Sequence, residues 1–213
     1  AYEAKDFAIT AKPITVTADA SQTKVYGTTD ARLTYSVSPS LVGTDAFTGT
    51  LTRVSGENVS TYAIEQNNLS AGSNYTITYV AKDFAITAKP ITVTADASQT
   101  KVYGTTDARL TYSVSPSLLG TDAFAGALSR TAGENVGQYA IAQGTLSAGA
   151  NYAVTFVPAN YSITKANQVI TWNQTLVSDC GSSASIALTA TSTSGLGISF
   201  SSSNSNVATI VNN

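Results

Sequence analysis

The twelve residues FAITAKPITVTA occur twice in this chain, at positions 7–18 and again at positions 84–95. In the second copy, FAIT places its apolar side chains at Phe84 and Ile86, whereas ITVTA places them at odd positions from Ile91 onward. Because side chains in a strand alternate with a period of two, this change of parity turns the apolar face over. The stretch therefore predicts that the last strand of one domain runs directly into the first strand of the next.

The joint between the two predicted strands is the tripeptide Ala88-Lys89-Pro90. Pro90 restricts the backbone and cannot donate a hydrogen bond to a central strand ladder. The alternative is a single kinked strand inside one domain. We favour the joint between domains because a repeat with a period of 77 residues ends at this point.

A self-comparison shows that the period extends over most of the chain. Residues 4–41 and 81–118 are identical, and residues 48–80 align with 125–157 with changes mainly at polar or small positions. A fixed period is typical of tandem domains. We expect four segments: the last strand of a preceding repeat (1–11), a first repeat (12–88), a second repeat (89–165) and a tail that does not align with the repeat (166–213).

The composition favours an all-β protein. Only 11% of the 213 residues are charged, the formal net charge is −2, and 43% are hydrophobic. The 11 Lys and Arg residues are scattered, which is not typical of a nucleic-acid-binding surface, and no apolar run is long enough to cross a membrane. The many β-branched residues fit pleated sheets.

Within each repeat, short apolar alternations separated by Gly, Pro, Asn and Asp predict small β-rich modules. At most one short helix is expected per repeat, near residues 106–110 or 116–124. These patterns leave open a β-grasp-like sheet, a barrel and a small β-sandwich such as the immunoglobulin-like one. The strands predicted for the second repeat are 91–95, 101–103, 110–114, 126–130, 138–142, 153–157 and 161–164.

The order of motifs in both repeats resembles a known family. KPITVTA, KVYGTTDARLTY, GENVGQYAI, GTLSAGANY and SIT follow one another as in the MBG/YDG repeats of bacterial surface adhesins. The resemblance covers 12–88 and 89–165, with Ala31 and Ala108 at the positions where the family often has proline. It implies a small extracellular β-rich module of the β-grasp type, with an immunoglobulin-like sandwich as the alternative.

The tail carries a different pattern. GISFSSSNSNVATI, with Ile198 and Phe200 on one predicted face, resembles the first half of a bacterial immunoglobulin-like domain. Half a sandwich leaves strand edges unpaired. We therefore expect the tail to be completed either by residues that follow Asn213 in the parent chain or by a strand of another molecule.

The sequence offers little for catalysis. It has no histidine, and its one cysteine, Cys180, has no histidine to activate it, so a structural role is favoured over a nucleophile. We predict no catalytic, cofactor-binding or metal-binding residues. Calcium is the alternative for the recurring acids, which we interpret as solvated turn residues: Asp19, Asp30, Asp45 and Glu57, repeated as Asp96, Asp107, Asp122 and Glu134.

A Tyr-Gly pair also recurs, at Tyr26-Gly27 and Tyr103-Gly104. A ligand-contacting aromatic is one interpretation. We favour a core or rim tyrosine followed by a glycine at a turn that needs a positive φ. Lys-to-Asn cross-links are a further hypothesis for such modules, and the sequence identifies no pair.

These observations predict a non-enzymatic segment of an adhesin stalk or surface fibre that supports adhesion by projecting a tip domain. The alternative is a repeated module that binds glycans or proteins weakly and acts by avidity. We expect a secreted protein at the bacterial cell surface. Its expected partners are neighbouring repeats of the same chain and, through self-association, further copies in fibres, with no nucleic acid and no membrane insertion.

Overall fold

The structure, a computed structural model, describes residues 2–3, 5–179 and 181–211, and within them it contains β-strands and no helix. The all-β prediction is confirmed, and no helix in this part of the chain could span a membrane. The described chain forms two compact units. The first runs to Gln99 and includes Ala108–Gly133 and Gln138–Tyr161, and the second holds Thr100–Asp107, Glu134–Gly137 and the chain from Ser162 onward.

The first repeat consists of two small sheets. Its strands are β1 (Lys12–Ala18), β2 (Gln22–Val25), β3 (Tyr35–Ser38), β4 (Thr52–Arg53), β5 (Ser60–Glu65), β6 (Tyr75–Val80) and β7 (Asp83–Thr87). One sheet has the order β3-β1-β6 and the other has the order β2-β7-β5-β4.

The beginning and the end of the first repeat are joined in parallel in both sheets. β1 pairs in parallel with β6, from Lys12 opposite Tyr75 to Thr17 opposite Val80. β2 pairs in parallel with β7, with Val25 opposite Thr87 at the end of the ladder. The chain therefore changes sheet between β1 and β2 and changes sheet again between β6 and β7.

The two sheets of the first repeat share one hydrophobic core. Ile14 and Val16 of β1 lie in the same buried cluster as Ile64 of β5 and Phe84 of β7. The repeat is thus a two-layer β-structure. An immunoglobulin constant-type sandwich consists of antiparallel sheets, so the parallel pairs at both ends distinguish this fold from it.

The second repeat has the equivalent seven strands, and all seven predicted strands are present. They are β8 (Lys89–Ala95), β9 (Thr100–Val102), β10 (Tyr112–Ser115), β11 (Ser129–Arg130), β12 (Gly137–Ala142), β13 (Tyr152–Val157) and β14 (Asn160–Thr164). β10, β8 and β13 form a sheet in that order, with β8 parallel to β13. β9 pairs in parallel with β14. The third and fourth predicted strands begin later than expected, at Tyr112 and Ser129.

The predicted change of apolar face occurs at the joint. Phe84 and Ile86 of β7 are buried in the core of the first repeat, whereas Ile91 of β8 is buried in a cluster with Ala148 and Tyr152. One residue, Ala88, separates the two strands. The joint is therefore too short to act as a flexible linker without disturbing a strand end.

An identical hexapeptide takes two conformations. KDFAIT forms no strand at residues 5–10, where Phe7 and Ile9 are each 90% exposed, but the same residues at 82–87 contain the buried strand β7. The neighbouring strands β2 and β5 therefore determine this strand, and local preference is not sufficient. The assignment of 1–11 to a preceding repeat stays a prediction.

The tail has little regular structure. β15 (Ile170–Thr171) and β16 (Thr191–Ser192) form an antiparallel pair, and the ring of Trp172 meets that of Phe200 edge to face at 5.7 Å. Its assignment to an immunoglobulin-like domain stays a prediction, and Cys180 lies outside the described residues.

One buried polar group distinguishes the second core from the first. Tyr161 occupies the position of Phe84, and its hydroxyl lacks a hydrogen-bond partner among the described residues. An unpaired buried polar group costs about 1–3 kcal/mol. We expect Tyr161→Phe to raise the free energy of unfolding by about 1 kcal/mol and Phe84→Tyr to lower it, both measured by urea denaturation. Loss of stability in Tyr161→Phe would contradict this account.

Candidate functional site at the contact between the repeats

Two cationic side chains are buried in the second sheet of the first repeat. The side chains of Lys24 on β2 and Arg53 on β4 are 5% and 6% exposed. Arg53 lies between two aromatic rings, with its guanidinium carbon 5.1 Å from the centroid of Tyr62 and 5.3 Å from that of Phe84. Buried cations are unfavourable unless they are paired, so their partners define what this region does.

Two carboxylates neutralise both cations. The Lys24 ammonium lies 2.7 Å from Asp30 Oδ1 and also binds Glu57. Arg53 donates from Nε to Asp30 Oδ2 at 2.7 Å and from Nη2 to Asp30 Oδ1 at 3.2 Å and to Glu57 Oε1 at 2.7 Å. We call these four residues the ion-pair cluster of the first repeat. Each cation contacts both carboxylates, so the cluster joins the two loops that carry Asp30 and Glu57.

The second repeat contains the corresponding groups. Lys101, whose side chain is 5% exposed, lies 2.7 Å from Asp107 Oδ1 and also binds Glu134. The Arg130 guanidinium lies over the rings of Tyr139 and Tyr161, at 5.2 and 5.3 Å from their centroids. The arrangement thus belongs to the repeat itself.

The charges of the cluster reinforce one another. Hydrogen bonding to Asp30, and then to Glu57, raises the pKa of Lys24. The pKa of Asp30 is lowered mainly by its hydrogen bond to Arg53 and further by the one to Lys24. The pKa of Glu57 is lowered mainly by its hydrogen bond to Lys24 and further by the one to Arg53. The pKa values of both carboxyl groups are lower in the folded state than in the unfolded chain. The ion pairs therefore stabilise the fold at pH values above the ordinary carboxyl pKa, and this contribution is lost as the pH falls through the folded pKa values.

The cluster holds a Tyr-Gly turn in place. Lys24 precedes the pair Tyr26-Gly27 and Asp30 follows it, so their ion pair closes the loop between them. The Tyr26 amide also donates to the carbonyl of Thr87, which extends the parallel ladder of β2 and β7. The turn is therefore anchored both to the core and to the end of the repeat.

Tyr26 connects the first repeat to the second. Its ring packs against the core clusters of both repeats. Its hydroxyl donates to Asp122 Oδ2 at 2.9 Å, and its ring meets that of Tyr152 edge to face at 5.5 Å. A single side chain thus contributes apolar contact and a charge-assisted hydrogen bond to the contact between the repeats.

A second loop makes polar contacts beside Tyr26. The Val59 amide donates to Asn151 Oδ1 at 2.9 Å, and Asn151 Nδ2 donates to Asn58 Oδ1 at 3.0 Å. Asn58 directly follows Glu57, so the ion-pair cluster also fixes this loop. We call Tyr26, Gly27, Asn58 and Val59 the docking turn of the first repeat.

The side of the second repeat that meets the docking turn has its own hydrogen bonds. Tyr152 donates its hydroxyl proton to Asp122 Oδ2 at 2.5 Å and accepts a hydrogen bond from the Leu119 amide at 2.9 Å. We call Leu119, Asp122, Asn151 and Tyr152 the receiving surface of the second repeat. Asp122 therefore accepts from two tyrosines, one of each repeat.

The hydrogen bond to Asp122 raises the pKa of Tyr26. Burial is the main cause that raises the pKa of Tyr152, and the hydrogen bond to Asp122 raises it further. A tyrosine whose pKa is raised on folding stabilises the structure below its ordinary pKa of about 10, and this stabilisation is lost as the pH rises through the folded value. The contribution of these two tyrosines to the contact between the repeats is therefore fully present at neutral pH and is lost in alkali.

The acids that the sequence identified are held more firmly than predicted. Asp30 and Glu57 are exposed loop residues, as the interpretation as solvated turn residues expected, and they also bind Lys24 and Arg53, which it did not include. Asp107 and Glu134 bind Lys101. In the described part of the chain, no three His, Cys, Asp or Glu side chains are grouped as a metal ion requires.

The structure also clarifies two other predictions. Gly27 and Gly104 have φ values of 81° and 84°, as expected of turn glycines, while Tyr26 is a rim residue that packs into a neighbouring repeat. Lys24 is bound by two carboxylates rather than by an asparagine, which does not suit a Lys-to-Asn cross-link at this position.

Sequence reasoning overlooked Lys24 and Arg53. A lysine six residues before an aspartate, on either side of a Tyr-Gly pair, was the available signal. The sequence contained no comparable signal for Arg53, because its partners lie on loops that only the fold brings together.

Comparisons with known proteins identify the repeats. The family model described as MBG domain (YGX type) matches residues 14–85 and 91–162, which together are more than half of the chain. Both matches include a Tyr-Gly-Thr turn, at Tyr26 and at Tyr103. Neither match extends into 166–213. No curated protein and no solved structure matches the chain.

The two turn glycines provide a matched test of the contact. A Cβ at Gly27 would lie 2.0 Å from Leu119 Cδ1, whereas a Cβ at Gly104 would meet nothing within 4 Å, although both glycines have a similar positive φ. Both alanine variants carry the same backbone strain, so only Gly27→Ala should disturb the contact. Overpacking of this kind costs about 1–3 kcal/mol.

We expect Gly27→Ala to accelerate hydrogen exchange at the Val59 amide by roughly tenfold relative to Gly104→Ala, measured by NMR at neutral pH. The Val59 amide is the reporter because its acceptor, Asn151, belongs to the other repeat. Equal exchange rates in the two variants would show that Leu119 moves aside freely and that the contact is loose.

Proposed function

Because the chain belongs to the MBG domain family of the YGX type and carries that domain twice in tandem, we propose that it is a structural segment of a bacterial surface adhesin. MBG repeat domains are typical of surface adhesin-like proteins and are a structural family not known as enzymes. In this proposal the repeats form part of a secreted stalk that holds an adhesive tip away from the cell and supports adhesion.

The observation that carries the proposal is the parallel pairing of the first and last strands. A tether transmits tension through both ends of each domain. Two parallel ladders connect the ends of the repeat: β1 with β6 and β2 with β7. When the repeat is pulled at the start of β1 and at the end of β7, the force acts along the strands of these ladders. All hydrogen bonds of a ladder then resist together, whereas an antiparallel hairpin pulled at adjacent ends opens one bond at a time.

The docking turn supports the same role. A stalk has to keep its extension, and a joint of one residue between β7 and β8 together with the contacts of Tyr26 limits bending at that point. Only 11% of the residues are charged and the net charge is −2. This composition suits a spacer between the cell and a tip domain better than a surface that recognises a charged partner.

An avidity-based binding module is the alternative function. A groove of about 420 Å³ lies beside Tyr26, between Thr28 and Thr29 on one side and Gly120 and Thr121 on the other. The groove is wide open to solvent, although Tyr26 and Leu119 contribute apolar surface to its lining. Ligand pockets enclose most of their ligand, and this open groove does not, so we favour the structural role.

Single-molecule force spectroscopy tests the proposal. With handles at the two ends of the chain, we expect two separate high-force events, one for each repeat. Each event should lengthen the chain by about 250 Å, the extended length of roughly 77 residues less the folded span. A second attachment, through cysteines at positions 12 and 40 with Cys180→Ser, provides the control, because Lys12 Nζ donates to the Ser40 carbonyl and the two sites are adjacent.

In the control geometry β1 is peeled from β3 from one end, so the force for the first repeat should fall several-fold. Equal forces in the two geometries, or extension at low force when the chain is pulled from its two ends, would contradict a load-bearing role.

A further inference from the structure

We propose that Tyr26 and Tyr152 form an oxidative cross-linking site, in which a carbon–carbon bond between their rings joins the two repeats covalently. The two rings belong to different repeats and meet edge to face with their centroids 5.5 Å apart. The reagent that acts on this site is a one-electron oxidant, such as hydrogen peroxide used by a peroxidase. The proposal goes beyond the structural role described above and does not depend on it.

Both hydroxyl groups bind the same oxygen atom. Tyr26 donates to Asp122 Oδ2 at 2.9 Å, and Tyr152 donates to that atom at 2.5 Å. Two phenols that share one acceptor atom hold their oxygen atoms, and the ring carbons next to them, close to each other. Tyrosines couple to dityrosine through these ring carbons. The fold therefore holds the reacting groups together before any oxidant arrives, which favours coupling within the chain over coupling between chains.

Asp122 supplies the base that the reaction needs. When an oxidant removes an electron from a tyrosine, the phenolic proton has to leave the ring oxygen. A carboxylate within hydrogen-bond distance can accept this proton as a general base. Because both phenols bind Oδ2, Asp122 can accept a proton from Tyr26 and, after releasing it to solvent, from Tyr152.

The atoms and electrons of the reaction balance. Each tyrosine loses one electron and its phenolic proton, and the two phenoxyl radicals then join through a ring carbon next to each oxygen. The hydrogen atoms on those two carbons move to the phenol oxygens, which restores both aromatic rings. One molecule of hydrogen peroxide takes up the two electrons and two protons and is reduced to two molecules of water. The chain therefore loses two hydrogen atoms for each cross-link.

The site is accessible to a small oxidant from one side. Tyr26 is half-buried, and it lines the open groove of about 420 Å³ together with Asp122. Tyr152 is only 7% exposed. An oxidant therefore reaches Tyr26 first, and the Tyr26 radical takes an electron from the adjacent Tyr152. A second oxidation of Tyr26 then produces the pair of radicals that couples.

The cross-link would limit how far the chain can extend. A bond between positions 26 and 152 takes the residues between them out of the line of force when the chain is pulled from its two ends. The total extension on unfolding should then fall by about 400 Å, the extended length of the residues that the bond bypasses. The joint would also stay closed after both repeats have unfolded.

Oxidation of the full chain in dilute solution tests the proposal. Cys180→Ser chains, which have no thiol to oxidise, are treated with hydrogen peroxide and a peroxidase, and their intact mass and dityrosine fluorescence are measured. We expect the main monomeric product to be lighter than the untreated chain by two hydrogen atoms. Tyr26→Phe should abolish this product. Tyr75→Phe is the matched control and should retain it, because Tyr75 makes the equivalent hydrogen bond to Asp45 at 2.6 Å but takes no part in the contact between the repeats.

Peptide mapping identifies the two residues that are joined. Trypsin releases the same peptide, VYGTTDAR, from residues 25–32 and from residues 102–109. The mapping is therefore done on a Tyr103→Phe chain, in which only the copy at 25–32 keeps its tyrosine. We expect this peptide to be bonded to the peptide 131–165 through Tyr152.

Asp122→Asn tests the base separately from the contact. The asparagine amide oxygen can still accept a hydrogen bond, but the amide cannot take up a phenolic proton. We expect cross-linking to slow by about tenfold or more. Protection of the Val59 amide, which donates to Asn151, checks that the two repeats remain in contact in this variant.

The proposal is overturned if the monomeric chain gains no cross-link while the exposed Tyr103 is oxidised, or if the cross-link maps to another pair of residues. Equal yields from Tyr26→Phe and Tyr75→Phe would also overturn it. An unchanged rate in Asp122→Asn with Val59 still protected would overturn the assignment of Asp122 as the base. The force measurement that tests the structural role uses the untreated chain, so the two proposals can fail independently.

Discussion

The arrangement of the two repeats depends on Tyr26. Its ring packs against both hydrophobic cores, and its hydroxyl binds Asp122, which also accepts from Tyr152. A lone tyrosine at the rim of a small domain would sample several rotamers. Here the backbone of the tyrosine continues the ladder to Thr87, which leaves the side chain pointing towards the second repeat. The one-residue joint between β7 and β8 therefore lies next to the contact that Tyr26 makes with the second repeat.

The ion-pair cluster explains why a small β-domain keeps two cations in its interior. Buried ion pairs contribute little net stability because desolvation offsets their attraction, and their best-documented role is to fix one arrangement. In the first repeat, Lys24 and Arg53 each contact both Asp30 and Glu57. Those carboxylates lie on the two loops that reach the second repeat. The charges thus position the docking turn, while the apolar residues stabilise the fold.

The sequence predicted regular features well and long-range ones poorly. The all-β class, the seven strands of the second repeat and the change of apolar face at Pro90 followed from residue alternation and from the 77-residue period. The ion pairs could not be predicted, because Arg53 lies 23 positions from Asp30 and 31 from Phe84. KDFAIT shows the limit most directly, since identical residues form a strand only at 82–87.

The role of Tyr26 is also invisible in one repeat considered alone. Tyr26 and Tyr103 have identical neighbours in sequence, yet one is packed against the next repeat and the other is half exposed. The environment of the Tyr-Gly turn in a repeat therefore depends on the domain that follows it in the chain.

Residual dipolar couplings measure the central claim, that Tyr26 holds the two repeats in one orientation. Amides of β1, β3 and β6 report on the first repeat, and amides of β8, β10 and β13 report on the second. At neutral pH we expect one alignment tensor to fit both groups in the native chain and two different tensors to be needed for Tyr26→Ala. Two tensors in the native chain, or one shared tensor in the variant, would contradict the account.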